Sequence, residues 1–177
     1  DLHRMFALMD RPREIADLPG APDLRTNGPM DIQFEHVDFA YERDRPILHD
    51  VSFSVPAGQT VAVVGPSGAG KSTLARLLYR FYEPQSGSVR VAGQDIRAVT
   101  QASVRRAIGI VPQDTVLFND TVAYNIAYGR PGATRAEVEA AARAARIHDF
   151  IVSTPGGYDT TVGERGLKLS GGEKQRV

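Results

Sequence analysis

Apolar residues at Leu2, Met5, Phe6 and Met9 recur at i, i+3, i+4 and i+7, the spacing of one helix face, and Arg11-Pro12 is expected to end that helix. Pro19-Gly20-Ala21-Pro22 and Asn27-Gly28-Pro29 punctuate a stretch poor in large apolar residues, which reads as a linker, with the compact part beginning near Met30. From Asp31 to Val55 the pattern alternates: Ile32 and Phe34, then Val37 and Phe39 after a phase slip at His36-Val37, then Val51, Phe53 and Val55. Such alternation predicts half-buried antiparallel strands. Pro56-Ala57-Gly58-Gln59 turns the chain into the β-branched run Thr60 to Val64, which suits a strand buried in a parallel sheet. Leu74, Leu77, Leu78 and Phe81 then predict a helix from about Lys71 that packs one stripe on the sheet.

A turn over Glu83 to Gly87, a strand over Ser88 to Val91 and another over Ala107 to Val111 come next. Beyond Pro112-Gln113 the pattern becomes helical. Thr134-Arg135-Ala136-Glu137 has the form of a capping box ahead of an alanine-rich helix to Ile147, broken by Ser153 to Asp159.

Composition narrows the function. The chain of 177 residues is 42% hydrophobic and 24% charged, enough apolar material for one α/β-sized core with an appendage. Lys+Arg 21 against Asp+Glu 21 leaves no general basic field for nucleic acid. Without cysteine there is no disulfide framework, thiolate metal site or thiol nucleophile. No run of apolar residues is long enough to span a bilayer. His3, His36, His49 and His148 have no ligand spacing and are assigned no metal role. Only three of the 21 basic residues are lysines, so Lys71 is distinctive in an arginine-biased background.

Gly65-Pro66-Ser67-Gly68-Ala69-Gly70-Lys71-Ser72, followed by Thr73, matches G-x-x-x-x-G-K-[ST] between a predicted strand and a predicted helix. Glycines allow backbone N–H groups to converge on phosphate oxygens, and the helix N-terminus adds partial positive charge. Lys71 is long enough to reach the β- and γ-phosphates, and the Ser72 hydroxyl can hold Mg²⁺. Leu169-Ser170-Gly171-Gly172-Glu173 is a second helix start with a capping box, in which Gly171 and Gly172 are costly helix residues unless something approaches their backbone closely. On its own that segment fits either a phosphate or an ordinary cap.

Together VVGPSGAGKST and LSGGEKQRV resemble the phosphate loop and signature sequence of the ATP-binding cassette (ABC) ATPases, over about Asp31 to Val177. The resemblance implies an α/β fold: a P-loop NTPase core with an antiparallel β subdomain and an α-helical subdomain over about 114–177. It implies head-to-tail pairing with a second nucleotide-binding domain, so that Ser170, Gly171 and Gly172 meet the γ-phosphate bound by a partner's Lys71. Tyr41, in Phe39-Ala40-Tyr41, resembles the aromatic that stacks on adenine, although alone it reads equally as a packing residue. Gln113 resembles the loop glutamine that meets Mg²⁺ and the attacking water; that role rests on resemblance alone. ATP and Mg²⁺ are the implied ligands, bound by Tyr41, Gly65 through Thr73 and Gln113, with Lys71 and Gln113 as catalytic contributors.

Thr161 to Gly166 (TVGERG) is similar to the segment that ABC exporters set against their membrane domain, and Met5 to Asp10 resembles the end of the connection from that domain. The branch most similar is that of the mitochondrial iron-sulfur-related, heavy-metal and glutathione-conjugate exporters and their bacterial relatives. Residues 1–29 are then expected to be a linker from a membrane domain, and 30–177 part of a nucleotide-binding domain on the cytoplasmic face of a membrane, most simply a bacterial inner membrane. The family's acidic motif, a hydrophobic strand ending in Asp-Glu that supplies the general base, has no match in this chain and is expected after Val177. Fold and motifs also admit a DNA-maintenance ATPase of the same superfamily or a non-hydrolysing nucleotide-binding module. Neutral charge and the exporter-like flank count against the former.

Overall fold

The computed structural model describes residues 15–42, 44–164 and 166–177. The periodic segment from Leu2 to Met9, Arg11-Pro12 and the 5–10 flank lie outside them, as does Arg165 of the 161–166 segment. The chain divides into two compact units, one ending at Gly109 and one running from Ile110 to Val177.

In the first unit β1 (Ile32–Glu42) is central in an antiparallel sheet, with β2 (Arg45–Val55) on one side and β3 (Ser86–Val91), then the two-residue β4 (Gln94–Asp95), on the other. Ile32 pairs with Val55 and Phe34 with Phe53, whose rings stack with centroids 4.7 Å apart. The phase slip in the sequence is a bulge: register shifts between Phe34 and Val37, and His36 has φ 48°. The extra residue keeps Val37 and Phe39 on the buried face with Phe34. Gly87 faces this bulge with φ 78°, and a Cβ there would collide with the carbonyls of Glu35 and His36, so only glycine fits.

The glycine-rich loop leads into α1 (Lys71–Leu78), whose Leu77 is fully buried with Leu74 and Leu78 partly so. Phe81, the fourth position of the predicted stripe, lies beyond the helix end and is exposed, because Arg80 reverses the chain with φ 54°. Arg80 itself is only 1% exposed, and its guanidinium is satisfied by Asp17 (2.9 Å), Glu83 (3.0 Å) and the Val99 carbonyl (2.9 Å). A buried charge persists only when matched in this way. The 19–29 stretch, linker-like in sequence, is in fact packed: Leu24 is in the core, its N–H donates to Ser103 Oγ, and Pro22 accepts from the Thr100 N–H.

Two expected strands are absent as strands. Thr60 to Val64 forms no ladder with any described residue, and Val63 and Val64 are exposed. Ala107 closes a helix instead, α2 (Gln101–Ala107), started by Thr100 accepting from the Ser103 N–H, and Ile108 to Val111 continues without a ladder. Strands of a parallel sheet are held by neighbours on their flanks, and the described residues offer these runs none.

The second unit is helical: α3 (Val122–Ala127), α4 (Arg135–Ala144), α5 (His148–Ser153), a 3-10 turn (Gly157–Asp159) and α6 (Gly171–Arg176). Both reciprocal bonds of the Thr134/Glu137 capping box are formed. The α4 helix stops at Ala144 rather than near Ile147, because Arg146 turns left-handed (φ 54°) and a new helix begins at His148. Val122, Val138, Ala142, Ile147, Ile151, Tyr158, Val162 and Leu169 make its core. No described helix is long and apolar enough to cross a membrane.

Candidate functional site

Between Val64 and α1 the loop closes a turn from Pro66 to Ala69 (N–H to carbonyl 3.3 Å), with Gly68 at φ 83° and Gly70 at φ 81°. Gly70 is the N-cap of α1, and no side chain caps that end. It also lies against the sheet, so that a Cβ would come within 2.7 Å of Leu48 Cδ2. Gly65 through Ala69 are exposed. The N-terminus of α1 therefore has no side-chain cap and lies behind an exposed loop, with the helix dipole behind it, as an anion requires. Lys71 Nζ donates to the carbonyls of Gly65 (2.8 Å) and Pro66 (2.6 Å), placing the cation over the same loop. The Ser72 hydroxyl is exposed on the first turn, a hard oxygen of the kind Mg²⁺ accepts, while Thr73 is buried.

Tyr41, near the end of β1, is brought to this loop. Its hydroxyl lies 3.2 Å from Thr73 Oγ1 and accepts from Arg76 Nη1 at 2.9 Å. Phe39 and Tyr82 meet its ring edge to face at 4.9 and 5.0 Å, and Tyr41 as a whole is 40% exposed. Sequence reasoning did not single out Arg76; its place one turn after Thr73 on α1 was the available signal.

In the second unit Gln113 is exposed, and its backbone carbonyl, with that of Pro112, accepts from Gln175 Nε2, each at 3.2 Å. Gln175, likewise unremarked in the sequence, thus ties α6 to the Gln113 segment. Ser170 caps α6 and accepts from the Glu173 N–H, while the Glu173 carboxylate returns to the Ser170 N–H at 2.7 Å. That backbone bond, with the Ser170 hydroxyl, holds the Glu173 carboxyl below its ordinary value. A Cβ on Gly171 would meet open space, and one on Gly172 only Arg176 at 3.8 Å. Nothing among the described residues demands glycine at either position. In the 161–166 segment Val162 is buried and Gly163, at φ 99°, packs against Asn119 and the Phe118 carbonyl.

Among the described residues no three His, Cys, Asp or Glu cluster as metal ligands. His36 Nδ1 is 2.6 Å from Asp50 Oδ1, which pushes the imidazole pKa up, and His148 Nδ1 is 2.8 Å from the Tyr158 hydroxyl.

An uncapped phosphate loop with its lysine, followed by a self-capped Ser-Gly-Gly helix start, defines a class: the ABC transporter family, whose profile matches residues 48–177, and the chain belongs to it. Its fold is that of an ABC exporter nucleotide-binding domain. More particularly, all 177 residues align at 64% identity with an ATM1-type heavy metal exporter of Novosphingobium aromaticivorans, covering 29% of that protein. They align at 62% identity with human ATP-binding cassette sub-family B member 6, covering 21% of it. A solved bacterial Atm1-family ABC exporter with ATP bound matches 99% of this chain and 31% of its own, at 64% identity and a TM-score of 0.91. The chain therefore spans less than a third of the length of these relatives.

Proposed function

We propose that the chain is the ATP-binding part of the motor of an ABC exporter, in which Mg-ATP binding and hydrolysis drive export across a membrane. The observation that carries this reading is the α1 N-terminus, without a side-chain cap and with Lys71 lying over the loop in front of it. The backbone N–H groups of Gly65 through Thr73, Pro66 having none, cradle the phosphates, Lys71 offsets their charge, and Tyr41 stacks on the base. Ser72 and Gln113 would hold Mg²⁺, which when bound neutralises charge on the β- and γ-phosphate oxygens. Gln113 would also orient the attacking water, while Gln175 ties its backbone to α6.

Ser170, Gly171 and Gly172 face a second nucleotide-binding domain's ATP in a head-to-tail pair. Open space over the two glycines supports a close approach from outside the chain. Residues 1–29 lead from a membrane domain, and 30–177 lie on the cytoplasmic face, in a bacterium that of the inner membrane. Lys71 and Gln113 stabilise and position, while the general base comes from an acidic strand absent from these residues. Similarity to exporters along the full chain favours transport over DNA maintenance.

Inside-out vesicles carrying the full-length protein test this. ATP-dependent accumulation of a heavy-metal ion, lost in Lys71→Ala, is the expected result; ATP hydrolysis indifferent to both membrane and metal would contradict it.

A further inference from the structure

The adenine platform is not free-standing. Tyr41 and Thr73 are 32 residues apart in sequence, yet the Tyr41 hydroxyl is fixed twice by α1: 3.2 Å from Thr73 Oγ1 and 2.9 Å from Arg76 Nη1. The Arg76 guanidinium carbon also lies 5.7 Å from the ring centroid, within reach of a cation–π contact. Thr73 is buried, so its hydroxyl is a rigid partner, whereas Arg76 is exposed and reaches over from the outer side. The helix whose N-terminus presents the phosphate loop is thus the helix that holds the ring. Distance between base platform and phosphate cradle is set by one rigid element.

We propose that Arg76 is a positioning residue for nucleotide binding: by holding the Tyr41 hydroxyl to α1 it fixes the ring in the pose that stacks on a purine. This rests on the stacking role given to Tyr41 above. An unanchored ring turns about its side-chain torsions, and binding must then order it. Phe39 and Tyr82 limit that motion from the sides, but neither touches the hydroxyl with a hydrogen bond, so the Arg76 and Thr73 contacts supply the remaining restraint.

The test titrates Mg-ATP and inorganic tripolyphosphate into the full-length protein and its Arg76→Ala, Tyr41→Phe and doubly substituted forms. Tyr41→Phe keeps the stacking face and removes only the anchor point. Arg76→Ala should weaken ATP about five-fold, Tyr41→Phe, which loses the Thr73 contact as well, at least as much, the double variant should be no weaker than Tyr41→Phe, and tripolyphosphate affinity should not change. Equal loss of tripolyphosphate affinity in Arg76→Ala would make Arg76 a phosphate contact and overturn the proposal. So would additive losses, or Tyr41→Phe binding ATP as wild type does. Wild-type protein that binds ATP no more tightly than tripolyphosphate would remove the adenine platform itself, and the positioning role with it.

Discussion

Lys71 Nζ donates to the Pro66 carbonyl at 2.6 Å and to the Gly65 carbonyl at 2.8 Å, so the lysine is folded over the loop that precedes it. An ammonium carries three protons, and two acceptors leave one for a phosphate oxygen. Holding the long side chain in this pose removes part of the rotamer freedom that binding would otherwise have to quench.

At the other phosphate surface, Ser170→Arg places a large cation where the partner's nucleotide is proposed to lie. Single-chain ATP affinity should stay within about two-fold of wild type, while ATP-driven pairing, read by light scattering, should be lost. Pairing that survives would remove Ser170 from the partner interface.

Tyr41→Ala should weaken ATP and GTP alike, since an aromatic face stacks on any purine and reads little of its edge; stacking is worth about 1–3 kcal/mol per base. Competition titration with both nucleotides measures it. Loss of ATP binding with GTP binding retained would point to an edge-reading contact instead.

The Thr134/Glu137 box makes an acid-side prediction. Backbone and hydroxyl bonds from Thr134, then Arg130, hold the Glu137 carboxyl below its ordinary 4.5. A carboxyl lowered in the folded state stabilises above the unfolded value and loses that contribution as pH falls through the folded one. Urea unfolding of Glu137→Gln should therefore match wild type more closely at pH 3 than at pH 7, and Thr134→Ala should cost about 1 kcal/mol at neutral pH. An equal deficit of Glu137→Gln at both pH values would refute the charge's part in the cap.

Much of the architecture was legible where one segment determines its own shape. The slip at His36-Val37 announced the β1 bulge, and Thr134 and Ser170 announced their capping boxes, because both signals are local. What was hidden depends on partners far along the chain. Leu24 meets Ser103 across 79 residues, so a proline- and glycine-punctuated stretch looks like linker although it is tied down. Thr60 to Val64 has strand composition, but a ladder needs a neighbour that composition cannot supply. At the site, the phosphate loop and Ser170 to Gly172 stand in the sequence as contiguous motifs, whereas the Tyr41–Arg76 and Gln175–Gln113 contacts join residues 35 and 62 positions apart and leave no contiguous trace.

Val63 and Val64 in the first unit, and Ile110 and Val111 in the second, are exposed apolar residues on runs without ladder partners among the described residues, each run prone to association. With no Asp-Glu strand end in its sequence, the 177-residue chain alone should aggregate readily and release phosphate from ATP at background rate. Turnover that Lys71→Ala abolishes would mean a base exists within these residues.

Calorimetric titration of Mg-ATP into the full-length protein and its Lys71→Ala variant tests the phosphate loop most directly. Removing the Lys71 cation from over the α1 N-terminus should weaken ATP by at least about ten-fold while the melting temperature holds. A Lys71→Ala protein that binds ATP as tightly as wild type would contradict the assignment of residues 65–73 as the nucleotide site.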